Sequence, residues 1–165
     1  MKTSKIIGIT IATLGIAFSC IMEAVVFYVL FRFIRIYAGG YHAKSETRCE
    51  IMSVLSIFLC ILIIKWTRLI NINSILLVVS MISSGTIILL CPLDTPEKPL
   101  TKKEFHKYRK IALLILLFIS VIIIVSYIFE FKRIFAPSCL SLILESILLS
   151  AGKTRQLISK KYDGQ

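Results

Sequence analysis

Charge is scarce in this chain of 165 residues: 18% is Asp, Glu, Lys or Arg, while 57% is hydrophobic and the mean hydropathy is +0.87. A soluble domain of this size carries about 25% charged and roughly 45–50% apolar residues. Too few polar groups are present to cover a water-facing surface. Intrinsic disorder is excluded as well, because it requires low hydrophobicity. An integral membrane protein is what remains.

Acidic residues are scarcer still, 9 against 20 Lys and Arg, for a formal net charge of +11. The basic residues lie between apolar runs and build no DNA- or RNA-binding motif. They therefore read as the flanking charge of membrane spans, and no nucleic-acid partner is implied. Histidine occurs twice, at His42 and His106, too far apart in sequence for a metal-ligand set. There is no Walker motif, no Gly-rich dinucleotide loop and no internal repeat, and no cofactor is implied. The five cysteines form no CxxC pair, which argues against a disulfide framework. Cys20, Cys60 and Cys139 lie in apolar runs, where Cys acts as a small hydrophobe. Cys91 ends such a run beside Pro92, and Cys49 alone sits among polar residues.

Five apolar runs are present, over 6–34, 51–64, 74–91, 111–129 and 134–150. A helix crossing the ~30 Å hydrocarbon core needs about 20 residues. The third and fourth runs fit. The second reaches that length if its helix starts near Thr47 and ends near Trp66, which puts Cys49 in the first turn at the membrane surface. The fifth is a weaker span, with Pro137 near its start and Glu145 inside. The first is too long for one upright span and too short for two. A long tilted helix and a helix broken around 19–23 are both open. A secretory signal is disfavoured, because apolar character continues through Leu30 beyond the cleavage-like Ala17-Phe18-Ser19-Cys20. The expected fold is an all-α polytopic membrane bundle of about four to six hydrophobic helices, one membrane-embedded domain over residues 1–165.

Counting Lys and Arg orients it. The first loop (Arg32, Arg35, Lys44, Arg48), the third (Lys98, Lys102, Lys103, Lys107, Arg109, Lys110) and the tail (Lys153, Arg155, Lys160, Lys161) hold 14 of the 20. The N-terminus adds Lys2 and Lys5 if the first run crosses twice. Either way these loops and the C-terminus are expected in the cytoplasm, while the side of the N-terminus stays open.

The chemistry-bearing stretch is the first loop, with His42 and Cys49. In the cytoplasm thiols stay reduced. A Cys–His pair suffices for thiol catalysis: the imidazole takes the proton and the thiolate attacks a carbonyl. Arg35, Lys44 and Arg48 favour the thiolate electrostatically. Spacing sets a condition. On one straight helix, seven residues separate the pair by about 10.5 Å of rise, whereas proton transfer needs ~3 Å or one water. The chain must turn between them. Gly39-Gly40 can end a helix, and Ser45 can cap the next, leaving Cys49 near a helix N-terminus that lowers a thiol pKa. The alternative is a tight Gly-Gly turn with an interfacial His42 and a passive Cys49.

The pattern Arg35…Gly39-Gly40-Tyr41-His42-Ala43…Cys49 resembles the signature of the accessory gene regulator B (AgrB) family, membrane cysteine endopeptidases of bacterial quorum sensing. The Arg–His and His–Cys intervals both match. Pro92-Leu93-Asp94-Thr95-Pro96-Glu97-Lys98-Pro99-Leu100, with the basic stretch after it, resembles the family's second cytoplasmic loop, and the order of apolar runs agrees to the end of the chain. Members of that family carry an amphipathic segment ahead of the first span. Here hydrophobicity begins at Ile6, which leaves two alternatives open: a chain lacking that segment, or a true start upstream of Met1.

The resemblance implies a multi-pass protein of the bacterial cell membrane that cleaves a short precursor peptide and closes it into a (thio)lactone signal. It makes Cys49 the nucleophile, His42 its base and Arg35 a support for the site or the substrate backbone. Gly39, Gly40, Ser45, Glu145 and Lys98 are candidates for loop support or substrate binding. Ser45, Glu46 and Glu50 are near enough in sequence to orient His42, with no reason to prefer one. Glu23 and Glu145 are carboxylates within apolar runs, where charge is costly and often functional; pairing with Arg32, Arg35 or a loop lysine is the structural alternative. His106 reads as a solvated residue of a basic loop, and the Lys102–Lys110 cluster as a topology signal touching anionic lipid. The partners implied are the precursor peptide and the bilayer, and a homodimer is allowed. The competing function is a catalytically inert membrane protein, a peptide-exporter component or partner.

Overall fold

A computed structural model describes Thr13 and residues 19–39, 46–67, 70, 72–93 and 101–163, with side chains excepted at 46–53 and 159–163. These residues form five helices: α1 (Ile21–Ala38), α2 (Glu46–Thr67), α3 (Asn73–Leu90), α4 (Lys102–Ile128) and α5 (Lys132–Asp163). No strand occurs among the described residues. The protein is a helical membrane bundle. Among the described residues α3, α4 and the 132–158 part of α5 are long and apolar enough to cross a bilayer.

Each helix buries one stripe and turns the rest outward. In α1 the buried positions Ala24, Phe27, Leu30, Ile34 and Ala38 recur every three or four residues, as do Ala112, Leu116, Ile119 and Ile123 in α4. The opposite face of α4 exposes Leu114, Leu117, Phe118, Val121 and Ile124. An apolar stripe inside and an apolar face outside is what lipid, rather than water, permits.

Helix α5 is the axis of the bundle. It packs against all four other helices, and 67% of its apolar window is buried, against 22% and 28% in α3 and α4. This explains why the fifth run, weak as a lipid-facing span, makes a good helix: Pro137, Ser138, Ser141, Glu145 and Ser146 face protein. The Ser138, Ser141 and Ser146 hydroxyls donate to the carbonyls of Ile134, Ser138 and Ile143 in their own helix, which satisfies them without a partner helix.

Two boundaries differ from the apolar runs. The first run is not one continuous helix: Ser19 turns with φ 52° and α1 begins at Ile21. The fourth helix starts at Lys102, well before its apolar run. Thr101 Oγ1 accepts from the Glu104 N–H at 3.3 Å, and the Glu104 carboxylate accepts from the Thr101 N–H at 3.0 Å. This reciprocal capping box starts a helix in polar sequence, so His106 is an exposed residue of α4 rather than of a loop. At its other end α4 closes with a Schellman motif. The Phe131 N–H donates to Ser126 O at 2.9 Å and the Glu130 N–H to Tyr127 O at 3.3 Å, with Glu130 left-handed at φ 56°.

These contacts define two ends. One holds the finish of α1 and of α3 and the start of α4: the Leu93 N–H reaches Ala38 O, and the Tyr37 and Tyr108 rings meet edge-on at 5.8 Å. The other gathers Asn73, Ser126, Glu130 and Lys132 around a polar cavity of about 390 Å³.

Candidate functional site

The last turn of α1 is where candidate residues come together. The helix stops at Ala38 because Gly39 takes φ 78° and ψ −148°, a conformation that L side chains rarely adopt. The Gly39 N–H still donates back to Arg35 O at 3.3 Å. The Arg35 side chain folds over the same end, and its Nη1 donates to Gly39 O at 2.8 Å. Arg35 therefore grips the main chain three residues before His42.

A second segment lies on this turn. After α3 the chain runs through Cys91-Pro92-Leu93, and the Leu93 N–H donates to Ala38 O at 2.9 Å. Gly39 packs so tightly here that a Cβ on it would sit 2.9 Å from Leu93 O. Glycine is thus required twice at position 39, by its dihedral angles and by the approach of another backbone. The stretches that carry the family resemblance, Arg35–Cys49 and Pro92–Leu100, touch through their described residues.

From the bundle axis comes Glu145. Its side chain is completely buried, and its Oε1 lies 3.6 Å from Arg35 Nη1, whose residue keeps a fifth of its side chain exposed. At that distance the contact is an ion pair and not a hydrogen bond, and neither Glu145 oxygen has a hydrogen-bond partner. A carboxylate so placed is costly unless a cation faces it, and here Arg35 does. Glu23, the other carboxylate in an apolar run, is buried near the start of α1, towards the opposite end of that helix.

Cys49 is the fourth residue of α2, within its first turn. Gly40, His42, Ser45 and Lys98 lie outside the described residues, as does the Cys49 side chain. The four described cysteines, Cys20, Cys60, Cys91 and Cys139, are buried and form no disulfide among the described residues. Cys91 sits just past the end of α3 in the Arg35–Glu145 neighbourhood. Burial pushes its thiol up to about 12, with Glu145 raising it further and Arg109 opposing, so at neutral pH it is no nucleophile. No group of three His, Cys, Asp or Glu suited to a metal ion occurs among the described residues.

Leu93 and Tyr108 were not legible as members of this cluster. Leu93 contributes a backbone bond that leaves no mark in sequence, and Tyr108 lies in what reads as a basic loop.

The family model for Accessory gene regulator B matches residues 2–149. AgrB-like protein 2 of Clostridium perfringens (strain 13 / Type A) is 30% identical over 145 aligned residues, covering 82% of this chain and 67% of that protein. No solved structure matches the chain.

Proposed function

The chain belongs to the accessory gene regulator B family, which serves bacterial quorum sensing, and from that premise we propose that it is a membrane-embedded cysteine endopeptidase acting on a short precursor peptide. Cys49 is the nucleophile and His42 its base. The Cys49 thiolate attacks a precursor carbonyl, the peptide C–N bond breaks, and the imidazolium of His42 returns its proton to the departing amine of the C-terminal tail. An acyl-thioester to Cys49 remains. A Cys or Ser within the precursor attacks that carbonyl, giving a (thio)lactone and regenerating Cys49. Restricting water at the membrane surface favours this ring closure over hydrolysis. An amphipathic leader on the precursor, lying on the same surface, raises its effective concentration.

The observation that carries the reading is the position of Cys49. Helix α1 has ended at Ala38, and α2 begins at Glu46, so Cys49 falls in a first turn. His42 falls in sequence between these two helices, so the condition set by one straight helix, a separation of about 10.5 Å, is not imposed on the pair. A helix's first turn carries N–H groups without intrahelical partners and the positive end of the helix dipole, both of which favour a thiolate. The burial of the four other described cysteines supports the same choice. On the distribution of basic residues, the end bearing Gly39, Leu93 and the start of α4 is assigned to the cytoplasm.

Co-expression with a candidate precursor, followed by mass spectrometry of the peptide, tests the reading. Cleavage lost in Cys49→Ala and in His42→Ala is expected. Cleavage that persists in Cys49→Ala removes Cys49 as nucleophile, and absence of any processing favours the inert-partner reading.

A further inference from the structure

We propose that Glu145 is a positioning residue for the His42/Cys49 site, acting through Arg35 on the carbonyl of Gly39, where the chain leaves α1 towards His42; this rests on the peptidase reading above. Three contacts form the path. Glu145 Oε1 faces Arg35 Nη1 at 3.6 Å. The same Nη1 holds Gly39 O at 2.8 Å. Beside it the Leu93 N–H holds Ala38 O at 2.9 Å. The path begins on α5, which touches every other helix, and ends at the first residue of the connection that carries the base.

A purely structural role explains this arrangement poorly. A buried ion pair is weak support for stability, since apolar side chains of similar volume pack as well or better. Around Glu145 the axis is built of Leu, Ile, Ala and serines whose hydroxyls are satisfied within their own helix, and a bundle in lipid needs no carboxylate there. What an ion pair adds is direction. The planar guanidinium offers donors in a fixed fork; with Nη1 drawn towards Glu145 Oε1, that same nitrogen is held beside Gly39 O instead of sweeping the surface. Gly39 itself lacks side-chain restraint, and its left-handed backbone is set by what surrounds it. Fixing its carbonyl fixes the direction in which the chain leaves α1 at Gly39. Positioning of that kind matters to catalysis because a misplacement of about 1 Å costs up to roughly a hundredfold in rate.

The test uses the full chain in proteoliposomes with its precursor peptide, and the variants Glu145→Gln, Glu145→Asp, Arg35→Lys and Glu145→Gln/Arg35→Lys. Two quantities are read: kcat and KM for cleavage, and the rate of Cys49 alkylation by a soluble maleimide, which needs no substrate. For Glu145→Gln we expect kcat to fall about tenfold or more with KM within about twofold, and Cys49 alkylation to slow. Glu145→Asp should recover part of both losses. The double variant should be no worse than the poorer single, because both substitutions cut the same path. A folded Glu145→Gln chain with wild-type kcat overturns the proposal, as does a rise in KM at constant kcat or a multiplied loss in the double variant. If Glu145→Gln does not fold, Glu145→Asp and Arg35→Lys decide: each keeps the charges but changes reach, and wild-type kcat in both overturns it. Failure of the underlying reading looks different. Cleavage surviving Cys49→Ala sinks the chemistry, whereas unaltered alkylation and kcat in Glu145→Gln beside an inactive Cys49→Ala sinks only the positioning role.

Discussion

The N–H of Leu93 donates to the carbonyl of Ala38 at 2.9 Å, joining the segment after α3 to the final residue of α1. Ala38 O is among the last carbonyls of its helix and has no donor within it. A residue far along the chain supplies that donor, so the end of α1 is completed by tertiary structure. The described starts of the two connecting segments, Gly39 and Cys91–Leu93, are thereby held together next to the Arg35–Glu145 pair.

Gly39 should be intolerant of any side chain, and Gly85 should not. Alanine at position 39 meets an essentially glycine-only backbone conformation costing about 1–3 kcal/mol and places a Cβ 2.9 Å from Leu93 O, a backbone atom that cannot swing aside. Gly85, in the body of α3, has nothing within 4 Å of an added Cβ, and alanine there gains roughly 0.5–1 kcal/mol of helix preference. Thermal unfolding in detergent checks both: Gly39→Ala should melt lower and Gly85→Ala at or above wild type. Equal midpoints for the two would contradict the tight approach at Leu93.

Thiol chemistry should single out Cys49. The reactive form is the thiolate, and a group at about 12 is ionised to only about one part in 10⁴ at pH 8, so Cys91 should gain reactivity only as pH climbs towards 12. A soluble maleimide at pH 7–8 should add one label per chain, and none to a Cys49→Ser chain. Full labelling of the Cys49→Ser chain at neutral pH would show that a buried cysteine is accessible after all.

How much of this was readable in advance depends on the range of the interaction. The α2 start was legible, because the second run reaches span length only by beginning near Thr47, and the helix does begin at Glu46. The halt after Ala38 was legible in Gly39-Gly40. The early start of α4 is not legible in the apolar runs, which leave out Lys102–Lys110; its signal is the capping pair Thr101 and Glu104. That Glu145 meets Arg35 and not Arg32, among the described residues, depends on which face of α1 turns to α5. Sequence leaves that choice open because apolar residues occur on every face of α1.

Glu130→Gly should raise stability. Glu130 occupies the left-handed position of the Schellman motif that closes α4, at φ 56°, where glycine is the usual residue. Relieving a Cβ there is worth about 1 kcal/mol, or roughly 2–4 °C in melting temperature for a chain of this size. A melting curve of the variant in detergent reads it directly, and a lower midpoint would mean that the Glu130 carboxylate contributes more than its backbone costs.

The two ends of the bundle should label from opposite sides of the membrane. Lys103 is exposed on the first turn of α4, at the end that holds Gly39 and Leu93, while Glu130 is exposed beside the polar cavity at the other. Five basic residues lie within Lys102–Lys110, and Lys153 and Arg155 lie on α5 as it runs back towards that end. Each Lys or Arg near an anionic leaflet is worth about 1 kcal/mol, so the charge at this end strongly favours the cytoplasmic side. In a Cys49→Ser background, a membrane-impermeant maleimide applied to whole cells with their wall removed should label Glu130→Cys and spare Lys103→Cys. Inverted vesicles should give the reverse. Labelling of Lys103→Cys from outside would place the proposed site away from the newly made peptide, and the peptidase reading would then require a substrate that reaches it only after export.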